Sequence, residues 1–300
     1  MNILLFGGSG FVSGRVLRYA LDAGHTVTAI TRGNHPLPDT TNISHIKADR
    51  NETNLGALLS DTAFDVVLDV ICQTPAQAAQ AMALARDGGR IVMVSSDYAY
   101  DPAYRKLAMT EAEARFSDRE DYGGNKRNAE LVLLEGYKAG ACRPTILRPP
   151  HIYGPGSNPG TIPQHGRRPN LLDDIAQGKT LNLLHGGLGL IQPIHADDLA
   201  RIILEVAAKP EAEGEDYTAC GPDLMSHLDY YRTLARCIGK GITHTAYCPA
   251  PEAEDVNHYV AGHRFYDRTK LKALLPEFTY TPFDAGMLDW VAHLRAGTEG

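Results

Sequence analysis

The 300-residue chain has a single tryptophan, only five cysteines, no long apolar run and no surplus of positive charge. Cys72, Cys142, Cys220, Cys237 and Cys248 are odd in number and scattered, with no Cys-x-x-Cys pair and no histidine at zinc-ligand spacing. A disulfide scaffold and a structural metal site are therefore excluded, and reduced thiols in a cytoplasmic protein are expected. The net charge of −7 offers no global field to hold a phosphate backbone, so nucleic acid is not expected as a main partner. No segment approaches the roughly 20 apolar residues of a membrane span. Met1-Asn2-Ile3-Leu4-Leu5-Phe6 runs into Gly7-Gly8 without a basic leader, so neither export nor membrane attachment is expected. What is present, 43% hydrophobic and 22% charged residues, suffices for a substantial core and excludes disorder.

Through the first half, apolar runs of strand length alternate with helical-period segments: Ile3 to Phe6, Val12 to Ala23, His25 to Thr31, Ile43 to Lys47, Asp65 to Val70, Pro75 to Arg86 and Arg90 to Ser95. Thr145 to Arg148 continues the series. Alternation of this kind means βαβ units, and strands apolar on both faces predict a parallel sheet covered by helices. The expected fold class is α/β, a Rossmann-type doubly wound parallel sheet with a smaller, interrupted C-terminal substrate-binding lobe. The turn-rich stretch Tyr153 to Gly160 marks the change of texture, and His195 to Ala208 reads as an amphipathic helix that returns to the sheet. Residues 1–150 with about 190–215 would form the dinucleotide-binding domain, and about 151–189 with 216–300 the smaller lobe.

Gly7-Gly8-Ser9-Gly10-Phe11-Val12-Ser13-Gly14 stands between the first strand and the first helix, where backbone can approach a pyrophosphate and free helix N–H groups can hold it. Ser13 occupies the third small position, with Gly14 displaced by one; serine is still small enough for helix–strand packing. Gly7, Ser9, Gly10, Phe11 and Val12 are the candidate cofactor contacts here. At the end of the second strand an NAD site would usually carry a carboxylate for the ribose hydroxyls. Thr31-Arg32-Gly33 has none, and the Arg32 guanidinium suits a 2′-phosphate, so NADP(H) is favoured over NAD(H). Asp49, after the third strand, is a candidate partner for the adenine amino group.

Two Tyr-x-x-x-Lys matches occur, Tyr122 with Lys126 and Tyr266 with Lys270. On a helix this spacing sets phenol and ammonium on one face, where the charge can lower the phenol pKa for proton transfer. Tyr122 falls between two sheet strands, so its helix should pass the carboxyl ends where ligands bind; Tyr266 falls in the late region and is expected to pack. With the glycine turn, Ser95-Ser96-Asp97-Tyr98-Ala99-Tyr100, Leu147-Arg148-Pro149-Pro150-His151-Ile152-Tyr153-Gly154-Pro155-Gly156 and Ile194-His195-Ala196-Asp197-Asp198-Leu199-Ala200, the chain resembles the extended branch of the short-chain dehydrogenase/reductase superfamily, the NAD(P)-dependent epimerases, dehydratases and reductases. The resemblance implies Ser96 as the catalytic hydroxyl, Tyr122 as acid/base, and Lys126 as the residue that binds the nicotinamide ribose and lowers the phenol pKa. It also implies that backbone near Pro149 to His151 flanks the nicotinamide, and that the protein is a homodimer joined through helices including Tyr122 to Leu134. His195, at a helix start before two aspartates, is expected to be structural.

Members of that branch acting on nucleotide sugars usually carry one arginine just before the Ile-His-x-x-Asp-Leu-Ala stretch and another before the late Asp-x-Ser/Thr-Lys. The matching slots here, Ile191-Gln192-Pro193 and Asn257-His258, hold none. A diphosphate would lose charge-assisted contacts worth about 1.5–3 kcal/mol each, although Arg167, Arg168 and Arg264 could supply charge by another route. Dehydratases commonly follow the catalytic hydroxyl with Asp-Glu, where this chain has Asp97-Tyr98. The expected activity is hydride transfer between nicotinamide and a hydroxyl or carbonyl carbon of a small polar substrate, as an oxidoreductase or redox-assisted epimerase. Gln73, Asp97, Tyr98, His151 and Gln192 are candidate substrate contacts, with Tyr100, Gln164 and His165 nearby. The alternatives are a nucleotide-sugar epimerase/dehydratase and, from another class, a catalytically silent NADP-binding regulator. An RNA-associated protein is a further alternative, since the glycine turn, Thr31-Arg32-Gly33 and Gln192-Pro193-Ile194-His195 also resemble atypical epimerase-like members related to chloroplast stem-loop RNA-binding proteins.

Overall fold

A computed structural model describes residues 1–37, 41–86, 88–162, 166–248 and 262–296. Gln164, His165 and the Asn257-His258 slot lie outside the described residues. The first half builds strands β1 (Asn2–Phe6), β2 (Thr26–Thr31), β3 (Ile43–Lys47), β4 (Val66–Asp69), β5 (Arg90–Val94) and β6 (Arg143–Leu147). Between them run helices α1 (Ser13–Asp22), α2 (Leu55–Leu58), α3 (Pro75–Ala85) and α4 (Tyr122–Lys138). Pro75 occupies the first turn of α3, where its missing N–H costs nothing, and Thr74 caps that helix by accepting from Gln77 N–H.

The second half contributes β7 (His151–Tyr153), α5 (Leu171–Ala176), β8 (Leu181–Leu184), β9 (Leu190–Ile191), β10 (Pro193–His195), α6 (Ala196–Ala207), β11 (Asp216–Tyr217), β12 (Met225–Ser226), α7 (His227–Arg236) and β13 (His244–Tyr247). Two further helices, Thr269–Leu274 and Phe283–Ala296, follow. The main sheet has seven parallel strands in the order β11-β6-β5-β4-β1-β2-β3. Strand order reverses between β1 and β4, and the carboxyl ends of those two strands open a crevice.

Asp216 and Tyr217, expected in the smaller lobe, instead pair with Ile146 and Leu147 as the edge strand of the main sheet. Two residues are too short a run to declare themselves by alternation. One face of the sheet packs its core against α1 and α6, with Val16, Leu17, Leu199, Ile202 and Ile203 all essentially inaccessible. The other packs against α2, α3 and α4 through Leu55, Ala78, Ala81, Ala129 and Leu133. A third apolar cluster, around Trp290, Tyr230, Tyr231 and Leu183, forms the centre of the smaller lobe. Among the described residues no helix is long and apolar enough to cross a membrane, and all five cysteines carry free thiols.

Candidate active site

Beyond Phe6 the chain turns at Gly7 and Gly8 with φ of 108° and 133°. A Cβ on Gly7 would stand 2.7 Å from the Ser13 Cβ, so a side chain is barred there by conformation and by space. The Ser13 Oγ accepts the Gly10 N–H at 3.2 Å and the Gly14 N–H reaches the Gly10 carbonyl at 2.7 Å, so serine at the third small position is part of the turn. Val12, the N-cap of α1, offers no side-chain cap, and the N–H groups of Phe11 and Val12 have no protein acceptor among the described residues. Bare donors at a helix N-terminus behind a glycine turn fit a pyrophosphate.

From this turn, with Ser9 and Gly10, a cavity of 640 Å³ runs past Thr31, Arg32 and Asp49 to Ile71, Gln73 and Gln77. The Thr31 hydroxyl is engaged by His45 Nε2 at 2.8 Å and by the Gly33 N–H at 3.0 Å, so it shapes the turn. Asp49 accepts the Asn51 N–H at 2.8 Å and lines the cavity. Arg32 is exposed and makes no hydrogen bond among the described residues. Arg50, by contrast, is buried under the groove, paired with Asp69 at 2.9 Å and stacked 3.8 Å from the Phe6 ring centroid. Burial holds the Asp69 carboxyl above its ordinary pKa despite that partner. Gln73, expected at the substrate, lines this dinucleotide groove, because the loop after β4 faces the glycine turn across the point where strand order reverses.

At the end of β5, Ser96 caps the short turn Asp97–Ala99 by accepting the Tyr98 N–H at 3.2 Å, and it lines the same cavity as Tyr122. Asp121 caps α4 through the Gly124 N–H at 3.0 Å. A Cβ on Gly124 would come within 1.8 Å of the Arg119 carbonyl, so glycine is needed for that close start. One turn on, Lys126 is 4% exposed; its Nζ donates to the carbonyls of Cys72 at 2.5 Å and Val94 at 3.0 Å and lies 5.6 Å from the Tyr122 ring centroid. Burial lowers the ammonium pKa, with Cys72, Asp69 and Glu130 opposing. The Tyr122 phenol is raised, by burial first and then by Asp97 and Tyr98, with Ser96 opposing. Tyr122 is 48% exposed as a residue. The expected depression of the phenol by Lys126 is not seen: the ammonium directs two donors to carbonyls, and desolvation dominates.

Ser96, Tyr98 and Tyr122 share a second cavity, of 250 Å³, with Pro150, His151, Gly160, Thr161, Ile162, Gly166, Arg167 and Arg264. Tyr98 meets Tyr122 edge-on at 5.9 Å. His151 is 7% exposed and its Nε2 has no partner; burial, then Arg167, Arg264 and His227, hold its pKa well below the ordinary value, so it is neutral at pH 7. Pro149 accepts the Asp97 N–H at 3.3 Å through its carbonyl.

Two expected substrate contacts are corrected. Asp97 is 0% exposed: Arg264 grips its carboxylate with two 2.8 Å bonds and Tyr266 donates to it at 2.8 Å. It orients Arg264 and faces no ligand. Gln192, 3% exposed, gives its carbonyl oxygen to the Tyr266 N–H at 2.7 Å. Tyr266 and Lys270 do not act together, since Lys270 pairs with Glu215 and Asp216 at the sheet edge. Tyr100, another residue near the expected site, is buried and bonded to Thr218 at 2.7 Å. His195 accepts the Asp197 N–H and packs edge-on against Tyr153, and its buried Nε2 has no partner among the described residues. Thr161 and Ile162 were not singled out by sequence; no motif marks them, and only the folding of the smaller lobe onto the sheet brings them to the cavity.

Comparison with known proteins gives a consistent result. A family profile described as "NAD dependent epimerase/dehydratase family" matches residues 3–220. A 2'-dehydrokanamycin reductase from Streptomyces kanamyceticus is 27% identical over 297 residues, covering 97% of this chain and 79% of the reductase. The chloroplast stem-loop binding protein of 41 kDa b from Arabidopsis thaliana is 23% identical over 252 residues, 79% of this chain and 63% of that protein. The crystal structure of UDP-glucuronic acid 4-epimerase from Bacillus cereus, in complex with UDP-glucuronic acid and NAD, superposes with a TM-score of 0.79 at 20% identity, covering 99% of each chain.

Proposed function

Because the chain belongs to the NAD dependent epimerase/dehydratase family and is an enzyme of that family, we propose that it is an NADP(H)-preferring oxidoreductase that reduces a carbonyl carbon of a small polar substrate. The observation that carries this reading is that Ser96 and Tyr122 line one cavity, with Lys126 one helical turn behind the phenol. The phenol, held above its ordinary pKa, is protonated at neutral pH, the form that gives a proton in the reductive direction. The reductase relative, spanning 97% of this chain, supports the same direction.

The nicotinamide, when bound, supplies hydride at its C4. The chain's own residues do the rest. The hydroxyls of Ser96 and Tyr122 hold the carbonyl oxygen, and Tyr122 hands its proton to that oxygen as charge develops there. Two of the three Lys126 donors are fixed on carbonyls, which leaves the third for a ribose hydroxyl. Phe11 and Val12 offer N–H groups to the pyrophosphate, Asp49 takes the adenine amino group, and Pro149 and His151 flank the reactive ring. In this reading the smaller lobe, about 151–189 with 218–300, binds substrate, and the protein is a cytoplasmic homodimer joined through α4. Deuterium placed at C4 of NADPH is expected to appear on the reduced carbon of the product, read by mass spectrometry over a panel of small polar ketones. Turnover without label transfer would remove the reading.

The cofactor preference rests on Arg32, the exposed cation at the groove's end. Arg32→Ala is expected to weaken NADPH binding about tenfold, as loss of one charge-assisted phosphate contact does, and to leave NADH binding unchanged. Titration of nicotinamide fluorescence measures both. Equal losses for the two cofactors would take Arg32 off the 2′-phosphate.

A further inference from the structure

The two guanidinium groups of the cavity beside Tyr122 differ in what they have left to give. Arg264 is 3% exposed and already paired: its Nε and Nη2 meet the Asp97 carboxylate, which it shares with Arg105 at 3.8 Å, and Nη2 also donates to the Pro150 carbonyl at 2.6 Å. Only its Nη1 is without a hydrogen bond among the described residues. Arg168, next in sequence to Arg167, is neutralised by Asp174 at 2.6 Å. Arg167 is different. Its one hydrogen bond runs from Nη2 to the Ile152 carbonyl at 3.0 Å, and no carboxylate lies within ion-pair distance of it among the described residues. Its backbone is held at φ 51°, a conformation a side chain rarely adopts, so this position carries strain while its side chain lines the cavity. The unbonded Nε2 of the buried His151 belongs to the same wall.

We infer that this cavity recognises a substrate bearing one carboxylate, held by Arg167 with help from Arg264 Nη1 and His151. The inference rests on the reading of this cavity as the substrate site. Among the described residues Arg167 is the guanidinium of the cavity with no carboxylate partner, and its planar fork matches a carboxylate. A polyamine would set cations against Arg167, and Asp97, which does not line the cavity, is held by Arg264, Arg105 and Tyr266. Neutral His151 adds a single N–H donor and no charge.

The test uses the protein saturated with NADPH, titrated with short oxo- and hydroxyacids, with their amides and with the corresponding phosphate esters. Acids are expected to bind about tenfold or more tighter than either counterpart, the margin of a charge-assisted contact. Arg167→Gln should erase that preference and leave NADPH affinity within about twofold. Equal binding of acid and amide, tighter binding of the phosphate ester, or a preference that survives Arg167→Gln would overturn the inference. So would a large loss of NADPH affinity in Arg167→Gln, because Arg167 also lies 5.9 Å from the ring of Phe11 in the glycine turn and would then belong to the cofactor. Failure here is separable from failure of the proposed function. Acids that bind through Arg167 yet never accept hydride would sink the function alone, and hydride transfer to neutral ketones with no acid preference would sink the inference alone.

Discussion

Tyr122→Phe is expected to lower kcat by about two to four orders of magnitude, the usual contribution of a positioned proton donor, with NADPH affinity unchanged. The substitution removes one oxygen and keeps the ring that packs edge-on against Tyr98. The residue is half-exposed, and among the described residues its hydroxyl makes no close hydrogen bond, so the stability change should stay within about 1.5 kcal/mol. A fall in turnover without a fall in melting temperature is therefore the diagnostic pair, measured by steady-state kinetics and by thermal denaturation of the same sample. The pH profile adds a sign. Burial raises the phenol, so the protonated donor form persists through neutral pH. Reductive kcat should stay level there and decline only as pH rises through the elevated tyrosine value. A reductive rate that climbs with pH across the neutral range would mean that the phenolate is the working form, and a Tyr122→Phe enzyme with full turnover would remove Tyr122 from the chemistry.

Why the glycine turn and the serine–tyrosine pair could be read from the chain while several of their neighbours could not is a matter of range. Strands buried on both faces leave near-continuous apolar runs, and the alternation of β1 to β6 with helices is visible within windows of a few residues. Gly7 is demanded by a contact with Ser13 only six positions away, and Tyr122 and Lys126 by one turn of one helix. Asp97 is the opposite case. Beside Ser96 it has the look of a ligand contact, but its partners Arg264 and Tyr266 lie 167 and 169 residues on, and no local pattern announces them. Gln192 is engaged by Tyr266 in the same way. Gln73 lines the cavity of the glycine turn for a topological reason: which cavity the loop after β4 faces depends on β4 lying next to β1, a property of strand order that local composition does not carry.

Glu130→Ala is expected to destabilise the fold by about 3–5 kcal/mol, the range for removing one member of a buried ion pair. Glu130 stands one turn beyond Lys126 on α4 and is 0% exposed. Its two oxygens accept from Arg148 Nε and Nη2 at 2.8 Å each, from the Ser95 hydroxyl at 2.5 Å and from Arg127 at 3.0 Å. Arg148, 1% exposed, would keep its ion pair to Asp216 and its contact to Tyr100 through Nη1, while its Nε and Nη2 donors would be stranded inside the protein without acceptors. Against a typical total of about 5–15 kcal/mol, that loss should bring the unfolding midpoint in urea down steeply. The pair also ties α4, and hence Tyr122 and Lys126, to the ends of β5 and β6, so the surviving folded fraction should show weakened catalysis with the site residues intact. The double replacement Glu130→Leu with Arg148→Met separates charge from packing. With both charges gone no buried ion is stranded, and Asp216 keeps Lys270 as a partner at 3.3 Å, so most of the stability should return. If the single variant unfolds at the wild-type midpoint, the pair does not hold the helix; if the double variant is no better than the single, the loss comes from packing and not from the unmatched guanidinium.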